Sequence, residues 1–209
     1  MRAQATVEAE PARDALSAEV RIAFAPDKTY LELAAGHEHI GVWRMLRRPL
    51  IVLVVIATAV PIMAVQRITL GLFAFSTVSF GFVVLIQMAV GAAISASAPS
   101  RRASMPRALD LWFAGHVPYS LWLLLVAAAF AASPYASLDA LIALAVVPAV
   151  WTGVVVAAFC RHVLGTSRRG ARWRATAHFA VTWAMAFELV ALSAGGWFQI
   201  TRSVTRLFE

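Results

Sequence analysis

The chain of 209 residues is 61% hydrophobic and 14% charged, with a mean hydropathy of +0.75, whereas soluble domains average about 45–50% apolar and about 25% charged residues. This composition excludes an ordinary water-soluble domain and predicts an all-α, polytopic membrane bundle. The net charge of +7 falls entirely in residues 49–209, within short connections between apolar runs, so it indicates membrane topology rather than nucleic-acid binding. The single cysteine, Cys160, excludes an internal disulfide and a thiolate metal cage.

Residues 1–40 are predicted to form a water-facing cytoplasmic tail with one short helix around Asp14–Ala23. Acidic residues rather than an apolar run follow the first four residues, so no secretory signal peptide is expected. The pair His37 and His39 suggests a metal site, but the i, i+2 spacing separates the two rings on a helix and no third ligand is near in sequence. We therefore interpret this segment as a solvated loop.

The segment 40–48 alternates apolar and basic residues. We expect it to lie in the lipid headgroup layer, where tryptophan and arginine are favoured. Its candidate contacts with lipid or a partner are Trp43, Arg47 and Arg48.

A transmembrane domain is predicted over residues 41–200, followed by a short external tail at 201–209. Pro49 suits the first turn of the first span, and a two-residue interruption after that span forces an antiparallel hairpin. The five predicted spans are about 49–65, 69–96, 117–132, 138–159 and 176–198.

The arginines predict the orientation of the bundle. Eleven arginines in residues 44–174 fall on the side of the N-terminus, and three fall on the opposite side. The positive-inside rule then places the N-terminus in the cytoplasm and the C-terminus outside. Five crossings also put the two ends on opposite sides, so the two predictions agree.

Glu188 is the acidic residue deepest in a predicted span. An ionised carboxylate at that depth costs at least about 2.5–3.5 kcal/mol, so the group is neutral, paired or in a wet cavity. A proton or cation site is one interpretation, and a hydrogen bond to Gln87 of the second span is the other. His178 and His116 are interpreted as anchors near the headgroups.

The connection after the fourth span is the strongest polar feature of the chain. We interpret it as a topology determinant that contacts lipid phosphate, or as a docking patch for an acidic partner with a tryptophan anchor. Its candidate contact residues are Arg161, Arg168, Arg169, Arg172, Trp173 and Arg174.

The predicted spans carry recurring marker residues: Pro49 opens the first, Gln87 lies late in the second, Pro118-Tyr119 opens the third, Trp151 lies inside the fourth, and the run 165–171, Gly-Thr-Ser-Arg-Arg-Gly-Ala, leads into the fifth. This arrangement resembles bacterial members of the Yip family, which are small five-span membrane proteins. The resemblance covers about residues 27–195 and implies a cytoplasmic segment followed by five closely spaced helices. Eukaryotic relatives interact with trafficking GTPases, but their Asp-Leu-Tyr-Gly-Pro motif is absent here, so a GTPase partner is not carried over.

No catalytic constellation or cofactor motif is present in the sequence, so we expect a protein that is not an enzyme and assign it no cofactor. The leading hypothesis is a scaffold, assembly factor or accessory subunit of a larger complex in a bacterial cytoplasmic membrane. Its expected partners are anionic headgroups on the cytoplasmic side and other membrane proteins. Two alternatives are a proton- or cation-coupled transporter component that uses Glu188, and a lipid-modifying enzyme that uses His178 with Arg161 or Arg174.

Overall fold

The structure, a computed structural model, describes residues 11–36, 40–98, 102–133 and 145–184. Within these ranges it is all-helical and contains no strand, which confirms the predicted all-α class. The helices are α1 (Pro11–Phe24), α2 (Pro26–Ala35), α3 (Val42–Val65), α4 (Leu70–Ala96), α5 (Met105–Ala114), α6 (Val117–Ala132), α7 (Val146–His162) and α8, which is helical from residue 168 to residue 184.

Three helical stretches of the described chain are long and apolar enough to cross a membrane: α3, α4, and α5 together with α6. α7 is apolar but shorter, at 17 residues. The predicted second span, 69–96, agrees with α4 to within one residue. The predicted fourth and fifth spans, 138–159 and 176–198, extend into residues outside the described part of the chain, and so does the predicted tail at 201–209.

The first predicted span begins seven residues too late. α3 starts at Val42, and Pro49 is a buried residue inside the helix rather than its first turn. A proline removes one backbone hydrogen bond to the residue four positions earlier, and here the helix continues on both sides of it. Most of the segment 40–48 therefore forms the first two turns of α3, and its place in the headgroup layer stays a prediction.

The predicted basic connection between the second and third spans contains α5, which is almost wholly buried. Every residue from Ala108 to Ala114 is buried, and Trp112 is 1% exposed. α5 and α6 are separated by Gly115 and His116 because Pro118 has no backbone N–H to continue the helix. No helix was predicted between the second and third spans, whereas the structure has α5 there with the apolar residues after Arg107 packed into the core.

The two N-terminal helices pack against the bundle. Ile22 of α1 and Tyr30 of α2 are fully buried, α2 lies against α7, and α1 also contacts α6. The indole Nε1 of Trp151 donates to the carbonyl of Ala23 at 2.7 Å. One helix near Asp14–Ala23 was predicted, and the structure adds α2 as a second one.

α4 buries its small and polar side chains and exposes its large apolar ones. Its buried residues are Ser76, Val84, Gln87, Gly91 and Ser95. Its most exposed large residues include Leu70, which is 85% exposed, and Val78, which is 84% exposed. Helices in membranes pack through small residues and turn apolar side chains toward lipid, so α4 has the pattern of a membrane-spanning helix.

Candidate functional site

Four polar side chains, from α4, α8 and the break between α5 and α6, form one hydrogen-bonded chain inside the bundle. His116 Nε2 lies 3.1 Å from Gln87 Oε1, Gln87 Nε2 lies 3.1 Å from Thr182 Oγ1, and Thr182 Oγ1 lies 3.2 Å from His178 Nδ1. At the other end His116 Nδ1 lies 3.0 Å from the carbonyl of Trp112. We call Gln87, His116, His178 and Thr182 the polar relay.

Both histidines of the relay are buried. His116 is 8% exposed and His178 is 2% exposed, and their ring centroids are 5.5 Å apart. The prediction that they are separate headgroup anchors is therefore wrong. Gln87 bonds His116 and Thr182. Glu188 lies outside the described residues, so both interpretations of it, a proton or cation site and a hydrogen bond to Gln87, stay predictions.

The break between α5 and α6 positions His116. The backbone N–H of Gly115 and that of His116 bond three residues back, to Trp112 and Phe113, at 3.0 and 3.1 Å. This tighter turn aims the imidazole of His116 back at the Trp112 carbonyl. The hydroxyl of Tyr30 donates to the carbonyl of Leu111 at 3.2 Å, so side chains satisfy carbonyls that a continuous helix would have paired.

The relay can hold its bonds in two ways that differ by one proton. A neutral imidazole donates from one nitrogen and accepts at the other. His116 Nδ1 faces a carbonyl, so in the neutral ring Nε2 must accept, and the amide of Gln87 must turn its NH₂ group toward it. If a proton binds Nε2, the ring donates to Gln87 Oε1, and the amide NH₂ of Gln87 then donates to Thr182.

In the neutral arrangement Thr182 donates to Gln87 and accepts from His178 Nδ1. In the protonated arrangement Thr182 accepts from Gln87. Its hydroxyl then donates to His178 Nδ1 once the proton of that neutral ring has moved from Nδ1 to Nε2, so that the direction of donation is reversed at each of these bonds. Because a buried charge is costly without partners, the neutral arrangement is the resting one.

Trp112 forms the apolar wall beside the relay. Its ring makes edge contacts with His178 and Phe159, with centroids 4.8 and 5.5 Å away. On its other side it lies against α4, where a Cβ added to Gly91 would come 2.7 Å from Trp112 Cδ1. The glycine is therefore needed for this close approach of indole to backbone.

A second buried polar group lies two residues before Trp112 in α5. Asp110, with a side chain 6% exposed, pairs with Arg48 of α3 and with Arg107, whose Nη1 lies 3.4 Å from Asp110 Oδ2. Arg48 Nε also donates to Glu19 Oε1 of α1 at 2.9 Å. Arg48, predicted as a lipid contact, is thus part of an internal ion-pair network that ties α1, α3 and α5 together.

The other predicted contact residues are mostly on the surface. Trp43 and Trp173 are 81% and 66% exposed. Arg161 donates to Asp27 at 3.2 Å, and Arg174 donates to the carbonyl of Ser97 at 3.0 Å. The remaining predicted contacts, which are all exposed, are Arg47, Arg168, Arg169 and Arg172.

Three functional candidates were not predicted from the sequence: the contact of His116 with His178, the Asp110 network, and buried Tyr30. Two features of the sequence could have indicated them. Gly115 and Pro118 flank His116 and mark a helix break, and Asp110 is an acid within the apolar run 108–114.

Cys160 is buried, as is usual for a free cysteine that acts as a small packing residue. Within the described residues no cluster of three or more His, Cys, Asp or Glu could hold a metal ion, and residues 37–39 lie outside them.

No protein-family model, curated protein or solved structure matches this chain. The resemblance to the Yip family therefore stays a prediction.

Proposed function

We propose that this chain is a multi-pass protein of a bacterial cytoplasmic membrane, with five spans, a cytoplasmic N-terminus and an external C-terminus. In this proposal it acts without catalysis, as a scaffold, assembly factor or accessory subunit of a larger membrane complex. The apolar helices and the distribution of arginines support the membrane placement.

The observation that carries the partner role is the exposed face of α8. Arg169, Arg172, Trp173 and Thr176 are exposed, and their i, i+3, i+4, i+7 spacing puts them on one face of the helix. Tryptophan and arginine are the residues most enriched where partners bind tightly. By contrast, the polar side chains of the relay bond one another inside the bundle and offer little to an outside molecule.

The test is extraction of the tagged chain in mild detergent, followed by measurement of the mass of the purified particle. We expect a mass above that of the monomer and a partner in a fixed ratio. The double variant Arg169→Glu/Trp173→Ala should release that partner. The matched control is Arg67→Glu, an exposed arginine at the predicted opposite end, which should keep it. A solitary monomer in every preparation would refute the proposal.

The polar relay favours a second candidate, a proton- or cation-coupled transporter component. Its support is that binding of one proton to His116 changes the relay from one hydrogen-bond arrangement to the other. Glu188 is expected further along the predicted fifth span, which also contains His178 and Thr182. In proteoliposomes that carry a pH gradient, Gln87→Leu and Glu188→Gln should each lower proton flux at least severalfold. Ser76→Ala, a buried serine of α4 outside the relay, should not. Equal flux from all four proteins would eliminate this candidate.

A further inference from the structure

A cleft of about 680 Å³ lies between α7 and α8, and its two ends differ in chemistry. One end is lined by Arg161, Arg168 and Arg172 together with Asp27. The rest of the lining is almost entirely apolar, with Val, Ala and Gly residues from α7 and Ala and Phe residues from α8.

The chain connection explains why the charge is at one end. α7 and α8 are joined by the short segment 163–167, so Arg161 at the end of α7 and Arg168 at the start of α8 lie near the same end of the cleft. The apolar lining then extends away from that end. On α7 it covers residues 149–158, which is roughly 14 Å of helix at 1.5 Å per residue. Half of the roughly 30 Å hydrocarbon core, one leaflet, is about 15 Å.

The charges at this end are unbalanced. Asp27 is already engaged, since its Oδ1 accepts from Arg161 at 3.2 Å and lies 2.8 Å from His162 Nε2. Arg168 and Arg172 are four residues apart on one face of α8, are exposed, and form no ion pair within the described part of the chain. A pair of guanidinium groups in this arrangement suits a phosphate group.

The apolar floor is shaped by one glycine. A Cβ added to Gly153 would come 3.2 Å from Phe179 Cε2, so the phenyl ring lies against the backbone of α7 there. Val150 and Val154, which also line the cleft, are 63% and 57% exposed. The cleft is thus open along its length and accepts a flexible chain from the side.

We infer that this cleft binds one anionic phospholipid, with its phosphate on Arg168 and Arg172 and one acyl chain along the apolar floor. The charge selects an anionic headgroup, and the length of the floor matches one leaflet. This inference rests on the proposed membrane placement but needs no protein partner. Asp27 repels a phosphate, but its carboxylate is already bonded to Arg161 and His162, and Arg161 offsets its charge.

The experiment is native mass spectrometry of the full chain in detergent, titrated with phosphatidylglycerol or with phosphatidylcholine. We expect one phosphatidylglycerol to stay bound, with an affinity at least tenfold above that for phosphatidylcholine. Arg168→Gln/Arg172→Gln should weaken phosphatidylglycerol binding by about thirtyfold and remove the preference. Arg67→Gln is the control and should change neither affinity.

Two further arms separate the headgroup from the chain. Ala157→Phe fills the floor and should weaken both lipids, and its thermal unfolding is measured to show that it folds. Glycerol phosphate, which has the phosphate without the acyl chains, should not displace the lipid at equal concentration. Full displacement by glycerol phosphate, or equal lipid binding by wild type and the double arginine variant, would overturn the inference. Loss of the protein partner alone would leave it standing.

Discussion

Helices α2 and α4 bury opposite kinds of side chain. In α2, Tyr30 is fully buried while Asp27 and Glu32 are exposed. In α4, Gln87 is buried while Leu85 is 66% exposed. Each helix turns toward its surroundings the groups that those surroundings solvate best. This contrast is the one expected if, within one packed chain, α2 lies against water and α4 lies against hydrocarbon.

The largest effect is expected at Asp110, a buried carboxylate that pairs with Arg48 of α3 and with Arg107. Asp110→Ala leaves Arg48 and Arg107 without their shared buried carboxylate, so the free energy of unfolding should fall by about 3–5 kcal/mol. The control is Glu32→Ala, which removes the partner of Arg21 in a pair whose side chains are 44% and 49% exposed. That change should cost about 0–1 kcal/mol.

Chemical unfolding in detergent measures both variants. Equal losses of unfolding free energy would show that the Asp110 network is as accessible to water as the α2 surface. That result would contradict the contrast between the two regions.

An added charge tests the two solvents directly. Leu85→Arg places a guanidinium on the exposed face of α4, which should disfavour membrane insertion by about 2.5–3.5 kcal/mol. Leu31→Arg makes the same change on α2, at a leucine that is 51% exposed, and should stay within about 0.5 kcal/mol of wild type. The measurement is the fraction of each protein that inserts into membranes. If both variants insert fully, the exposed face of α4 does not contact lipid.

The next largest effect on stability is expected from close packing on the buried side of α4. Gly91→Ala forces a methyl group against Trp112, and overpacking of this kind should lower the free energy of unfolding by about 1–3 kcal/mol. A Cβ at Gly81 of the same helix would meet nothing within 4 Å. Gly81→Ala should therefore leave stability unchanged or raise it by up to about 1 kcal/mol. A loss from Gly81→Ala as large as that from Gly91→Ala would contradict the packing.

The smallest effect concerns the bond that joins α2 to α5. Tyr30→Phe removes the hydroxyl that donates to Leu111, and should cost about 1 kcal/mol near neutral pH. Burial raises the pKa of Tyr30 above its ordinary value, with Arg48 opposing the rise. A raised pKa in the folded state means that the stability is complete below about pH 10, where free tyrosine ionises, and is lost as the pH rises above it.

Unfolding curves from neutral to alkaline pH check this last prediction. Tyr30→Phe should show a smaller alkaline loss of stability than wild type does. A wild-type protein whose alkaline loss matches that of the variant would mean that the phenol is accessible to water.

Much of the helical architecture could be predicted because it depends on local sequence. The boundaries of α4 follow from an uninterrupted apolar run and from Thr69, whose hydroxyl caps the helix by accepting from the N–H of Leu72 at 3.2 Å. The prediction was wrong at α3, where Pro49 was expected in the first helical turn, and at α5, where no helix was expected. Pro49 is tolerated inside α3, and α5 is buried although arginines precede it.

The candidate site could not be predicted in the same way. Gln87 and His116 are 29 residues apart, and Gln87 and Thr182 are 95 apart. Nothing in the sequence near His178 distinguishes a headgroup anchor from a buried ring against Trp112. Which side chains meet is decided by how the helices rotate about their axes, and this depends on contacts such as that of Trp112 with Gly91.

The sequence by itself determined that the chain is helical and apolar, because runs of about 20 apolar residues can satisfy their backbone groups only within a helix when lipid surrounds them. Only the tertiary structure decided that Asp110 neutralises Arg48, that the polar relay is continuous, and that three arginines meet at one end of a cleft. These are relations between distant residues, and they exist only once packing has fixed which face each helix turns toward its neighbours.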